Sequence, residues 1–163
     1  MHILAINGSL QARSSNLALL EAAQASAPPG VEIVLFDGLR ALPHFNPDLE
    51  INETLAVVDA WRSAIAESDA LLIAAPEYGF SLPGVIKNAI EWVIGSGELE
   101  QKLVGVTSSV NHPERGRLGL AALRGALGAV SAKVIGGEPI VRGPAFERDV
   151  TELVRALVAA RII

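Results

Sequence analysis

An α/β fold, doubly wound around a five-stranded parallel sheet, is what this sequence predicts, and three observations support it. Short apolar runs alternate with longer stretches of helical period along the chain, the pattern of a parallel sheet covered on both faces. The runs number five, and each is followed by a helical stretch able to cross back over the sheet. Half of the 163 residues are apolar and 19% are charged, which suffices for one core and is too apolar for disorder. Residues 1–163 are therefore read as a single domain without a linker.

Taken in order, the first strand is expected at 3–6, followed by a helix striped with Leu17, Leu20 and Ala23. The second strand is placed at 32–36. Residues 38–52, with Pro43 and Pro47, show no period and are read as a surface loop. Asp48 and Glu50 there are followed by Glu53, and these carboxylates are taken as solvated rather than as an acid–base pair. Leu55, Val58, Arg62 and Ile65 mark the next helix, the arginine being the one break in its stripe. The third strand, at 70–75, leads to a helix carrying Ile86, Ala89, Ile90 and Val93. A fourth, at 103–107, leads to Leu120, Leu123, Leu127 and Val130. The fifth is placed at 133–135, residues 136–144 are read as a second surface loop, and the last helix carries Phe146, Val150, Leu153, Leu157 and Val158. Each helix has an apolar face to lay on the sheet. Trp61 and Trp92, beside such faces, are read as packing or subunit-contact residues. Five strands with five crossovers fit the three-layer, flavodoxin-like strand order 2-1-3-4-5 better than the six-stranded dinucleotide order.

Composition removes several classes of function. Thirteen Lys and Arg against 18 Asp and Glu leave a net charge of −5, opposite in sign to a nucleic-acid footprint. The chain has no cysteine, which removes disulfides, thiolate nucleophiles and iron–sulfur clusters. His2, His44 and His112 stand far apart with no metal-ligand spacing, so no metal site is expected. The N-terminus lacks the basic start and cleavage site of a signal peptide, and no apolar stretch is long enough to span a membrane. A soluble cytoplasmic protein is expected.

Ligands of an open parallel sheet bind at the carboxyl ends of its strands, near the point where strand order reverses. The loop after the first strand, Asn7 to Asn16, concentrates short hydroxyls and amides at a helix start: Ser9, Ser14, Ser15 and Asn16, with Arg13 among them. Free backbone N–H groups together with these side chains suit a phosphate. Any one of Ser14, Ser15 and Asn16 alone reads better as a helix cap; the concentration of four such groups in eight residues at this position favours phosphate. Neither GxxxxGK[ST] nor GxGxxG occurs after a strand, so no P-loop or Rossmann fingerprint competes. The loop after the third strand, Pro76 to Gly84, is stiffened by Pro76 and Pro83 and bent by Gly79 and Gly84. Tyr78 and Phe80 can offer apolar contact to a flat heterocycle there, or Pro83 can simply start a helix with Tyr78 on the rim. No nucleophile elbow or carboxylate pair stands out, and no catalytic side chain is assigned.

Ser9-Leu10 with Ser14-Ser15-Asn16, and Pro76-Glu77-Tyr78 with Ser81-Leu82-Pro83-Gly84 and Lys87-Asn88-Ala89-Ile90-Glu91-Trp92, resemble the two hallmark segments of the NADPH-dependent FMN reductase family, which includes quinone, azo-dye and chromate reductases. The resemblance implies a flavodoxin-like fold, FMN as cofactor and NAD(P)H as co-substrate. It implies that Ser9, Ser14, Ser15 and Asn16 hold the FMN phosphate, and that Pro76, Glu77 and Tyr78 line the ring, partly through backbone groups. Position 11 is Gln where the family usually has a phosphate-binding Arg, and Arg13 stands two residues on. Position 79 is Gly where the family usually has an Asn that touches the flavin. After the fourth strand, Ser108 fits the family's small, Gly-rich loop against the ring, whereas the rest of the segment through His112 to Gly116 is bulky and charged. Homodimers or homotetramers are implied as well.

Together these point to an FMN-dependent NAD(P)H oxidoreductase acting on a small-molecule acceptor such as a quinone, an azo compound, a metal oxyanion or free flavin. A ligand- or partner-binding protein of the same fold, without NAD(P)H turnover, is the second reading.

Overall fold

The computed structural model describes residues 1–52 and 55–161. Its strands are β1 (His2–Asn7), β2 (Glu32–Leu35), β3 (Ala70–Ala74), β4 (Leu103–Val110) and β5 (Lys133–Val141). They form one parallel sheet in the order β2-β1-β3-β4-β5. Helices α1 (Ser15–Ala25) and α6 (Phe146–Ala160) cover one face; α3 (Ala56–Glu67), α4 (Gly84–Glu91) and α5 (Arg117–Ala129) cover the other. The alternation of side chains along each strand makes two cores. In β1, Ile3 and Ala5 join Leu19, Leu20, Val150, Val154 and Leu157, whereas Leu4 and Ile6 join Trp61, Ile65, Ile86 and Leu123. The predicted fold class and strand order stand.

Residues 38–52 are not a surface loop. They form a 3-10 turn (Leu39–Ala41) and a short helix, α2 (Pro47–Asn52). The signal was present: Asn46 accepts the Asp48 N–H on its side chain at 2.9 Å, Pro47 occupies the first helical position, and Asp48 and Glu50 sit in the first turn where the helix dipole favours them. Glu50 pairs with Arg62, whose guanidinium also donates to the Trp92 carbonyl at 2.8 Å. Glu53 lies outside the described residues. Asn88 holds the segment from α4, donating to Pro43 O at 2.9 Å and accepting from Phe45 N at 2.8 Å. Both tryptophans are buried within the chain, which corrects the subunit-contact alternative. Trp61 Nε1 donates to Ala89 O, and Trp92 Nε1 to Pro43 O.

The fourth and fifth strands run further than predicted. Ser108, Ser109 and Val110 remain in β4 and pair with Pro139, Ile140 and Val141 of β5, across a bulge between Val106 and Ser108. Gly136 and Gly137 adopt positive φ angles of 75° and 107° in that bulge, and a Cβ at Gly136 would lie 2.8 Å from the Val106 carbonyl oxygen. Residues read as a loop are thus an edge strand bent by two glycines, with its proline tolerated at the edge. The extension carries the chain to Arg142, whose N–H donates to Val110 O at 2.8 Å. Among the described residues no helix is long and apolar enough to cross a membrane.

Candidate functional site at the carboxyl edge of the sheet

The loop after β1 turns onto α1 through an N-cap. Ser14 Oγ accepts the N–H groups of Asn16 and Leu17 at 3.1 and 3.2 Å, which leaves its own proton free to donate. The N–H groups of Ala12, Arg13 and Ser15 find no acceptor among the described residues. They stand at the positive end of α1, where an anion is stabilised. Ser15 Oγ donates to Ser109 O at 3.3 Å, and Asn16 Oδ1 accepts from Ser109 N at 2.8 Å. These two side chains stitch α1 to β4, with Asn16 nearly buried. Ser9 Oγ accepts from Gln11 N and so shapes the loop from within.

The loop after β3 folds into a two-residue turn. Tyr78 and Ser81 exchange backbone hydrogen bonds of 3.0 Å each way, and Gly79 and Phe80 between them have φ of 56° and 61°. That geometry suits glycine and strains Phe80, whose side chain is 76% exposed. The Glu77 carboxylate accepts the Gly119 N–H at 2.9 Å, which caps the start of α5 with a negative charge. A Cβ at Gly119 would sit 3.0 Å from Glu77 Cα and Cβ, so the helix approaches the loop closely only because residue 119 is glycine.

Three clefts open along this edge. One, of about 680 Å³, lies between the start of α1 and the connection from β5 to α6, with Arg13, Ser14, Ser15, Ser109 and Arg142 on its walls. A second, also about 680 Å³, lies among the loops after β1, β3 and β4, and Pro76, Glu77, Phe80, Ser108 and Arg115 line it. Ser15, Ser109 and Arg142 line both and form their common boundary. The third, about 390 Å³, lies on the β2 side, with Ser9, Gln11 and Arg40.

The predicted residues thus divide. Arg13, Ser14 and Ser15 meet in the first cleft; Ser15, Asn16, Pro76, Glu77 and Ser108 meet in the second. Ser9 and Gln11 face the third. Tyr78 and Gly79 line none of the three and form the exposed turn beside the second. His112 accepts the Glu114 N–H on Nδ1 at 3.3 Å, within its own exposed loop. Sequence reasoning passed over Ser109, Arg115 and Arg142. Pro139-Ile140-Val141, an apolar pair resuming after the glycines, was the signal that β5 continues and delivers Arg142 to the carboxyl edge. Among the described residues no cluster suits a metal ion.

Residues 1–144 match the NADPH-dependent FMN reductase family. The chain is 39% identical over 119 residues to the NAD(P)H-dependent FMN reductase of Pseudomonas aeruginosa, an alignment covering 73% of this chain and 63% of that protein. It is 41% identical to the NADPH:quinone oxidoreductase of Arabidopsis thaliana over 56% of this chain and 48% of that one. The matches thus span about half to two-thirds of these relatives' length. Among solved structures, the NAD(P)H:(acceptor) oxidoreductase FerB of Paracoccus denitrificans superposes with a TM-score of 0.86 at 26% identity, covering 99% of this chain and 97% of that one.

Proposed function

We propose that this chain, which belongs to the NADPH-dependent FMN reductase family, is an FMN-dependent NAD(P)H oxidoreductase that reduces a small acceptor, with quinones the first class to test. The observation that carries the reading is the row of free donors at the start of α1, opening into two joined clefts of a size suited to a cofactor. The residues fit FMN. Arg13, the Ser14 hydroxyl and the unpaired N–H groups of Arg13 and Ser15 match a phosphate dianion, and the second cleft offers Pro76, Glu77, Ser108 and Phe80 to a flat ring.

When bound, FMN supplies the hydride chemistry, and for that reason the site needs no nucleophile or general base of its own. This chain's residues bind and orient. The cap at Ser14 fixes the phosphate donors, and the stitch from Ser15 and Asn16 to Ser109 sets the spacing between phosphate and ring. Glu77, locked by its side chain onto α5, presents its backbone to the ring cleft as a rigid wall. Phe80 and Leu118, both exposed beside that cleft, supply the apolar surface against which nicotinamide and acceptor bind in turn. Ser9 and Gln11 support the phosphate loop from its far side. With Tyr78, also exposed, this apolar rim favours assembly into a homodimer or homotetramer. A cytoplasmic location is part of the same reading. Family membership favours turnover over the ligand-carrier reading.

The test is oxidation of NADPH and NADH by the FMN-reconstituted protein, followed at the nicotinamide absorbance with a quinone present. Turnover that requires bound FMN is expected. A protein that binds FMN and oxidises neither nucleotide would be a carrier instead.

A further inference from the structure

We infer that Ser109 and Arg142, from the ends of β4 and β5, form with Arg13 a second, cationic half of the phosphate site, placed opposite the start of α1. The inference rests on the FMN reading above and adds to it the residues from the far strands.

Ser109 carries the first observation. Both of its backbone polar groups are already engaged, the N–H by Asn16 and the carbonyl by Ser15. Its hydroxyl is the one described buried side-chain polar group without a partner, in a residue only 7% exposed. A buried hydroxyl left unpaired is costly, and this one belongs to a residue that lines both large clefts. Turned about its χ1 toward that boundary, it would meet an acceptor oxygen bound there. Arg142 carries the second. It lines the same two clefts, and its guanidinium has no hydrogen bond or ion pair with the described residues; the same holds for Arg13 across the first cleft. Most of the chain's other described arginines are engaged, as in Arg62 with Glu50, Arg117 with Glu138 and Arg161 with Asp69. Glu21 also lines the first cleft and is the carboxylate the two guanidinia must outweigh. Two guanidinia, a buried hydroxyl and the free N–H groups of the α1 start converge on a tetrahedral dianion.

The β5 bulge is what makes this arrangement possible. It lets the edge strand continue past Gly136 and Gly137, so that the residue after Val141 arrives beside β4 rather than in an outer loop. Gln11 adds no charge and faces the third cleft, so the positive charge at the phosphate comes from Arg13 and from this strand end.

Riboflavin, which has the ring and lacks the phosphate, separates the possibilities. Apoprotein is titrated with FMN and with riboflavin, following flavin fluorescence, for the wild type, Arg142→Ala, Arg142→Lys and Ser109→Ala. Arg142→Ala is expected to raise the Kd for FMN about 10- to 100-fold with riboflavin binding unchanged, and Arg142→Lys to recover part of the loss. Ser109→Ala should weaken FMN alone and leave the melting temperature of the apoprotein equal or higher, because it removes an unpaired buried group. Inorganic phosphate should compete with FMN for the wild type and much less for Arg142→Ala. An unchanged FMN constant in Arg142→Ala overturns the inference, and a rise in KM for NADPH but not NADH in that variant would assign the guanidinium to the donor's 2′-phosphate. Equal weakening of FMN and riboflavin also overturns it. A wild type that binds neither flavin contradicts the proposed function itself, a result distinct from all of these.

Discussion

Residues 38–52 and the loops at the carboxyl edge of the sheet are alike in sequence, polar and broken by proline or glycine, and they use their donors in opposite ways. In the first region the polar groups serve the fold. Asn88 and Trp92 hold the carbonyl of Pro43, Arg62 joins Glu50 to Trp92, and Asn46 caps α2. At the carboxyl edge, the guanidinia of Arg13, Arg115 and Arg142 have no hydrogen bond or ion pair with the described residues, the Ser109 hydroxyl is buried and unpaired, and N–H groups of the α1 start are free. Buried polar groups are normally satisfied, so the unpaired Ser109 hydroxyl, beside exposed guanidinia and helix N–H groups that no protein group engages, singles out the second region as the candidate binding surface. Irregular sequence alone does not separate the two.

Breaking the first region should cost stability without touching flavin chemistry directly. Trp92→Ala empties a fully buried site and removes the bond to Pro43; a loss of about 3–5 kcal/mol is expected, seen as a fall of about 10 °C in melting temperature. Altering the second region should do the reverse. Ser14→Asp keeps a good N-cap while setting a carboxylate in the proposed phosphate site; FMN affinity should fall about 100-fold in a fluorescence titration, with the apoprotein melting as before. Glu77→Gln lies between the two regimes, because its carboxylate caps α5 and the residue lines the second cleft. It should lower stability by about 1 kcal/mol, measurable by urea denaturation, with a modest effect on flavin binding. The smallest effect is expected at Phe80, whose φ of 61° is strained and whose ring is exposed. Phe80→Gly should stabilise the fold by up to about 1 kcal/mol and raise KM for quinone, a gain and a loss that separate strain held for binding from strain without use.

Much of the architecture was legible because parallel strands and their covering helices leave periodic signatures, and five strands with five crossovers fit the observed order β2-β1-β3-β4-β5 better than the six-stranded doubly wound order. Helix α2 and the length of β5 were not, and for related reasons. Pro47 read as a breaker although, after Asn46, it starts a helix. Gly136, Gly137 and Pro139 read as a loop although a bulge on an edge strand accommodates all three. The cluster of donors at the start of α1 was legible. The division of labour within it was not: Ser15 and Asn16 bind β4, Ser14 caps α1, and the residue brought opposite them, Arg142, became visible only once β5 was seen to reach the carboxyl edge.

The claim that the unsatisfied donors form a phosphate-anchored flavin site is tested most directly by comparing FMN with riboflavin on the wild-type apoprotein, titrated in one buffer by flavin fluorescence. FMN should bind at least about 100-fold more tightly, the difference arising at the phosphate. Equal constants for the two flavins, or no binding of either, would contradict the account.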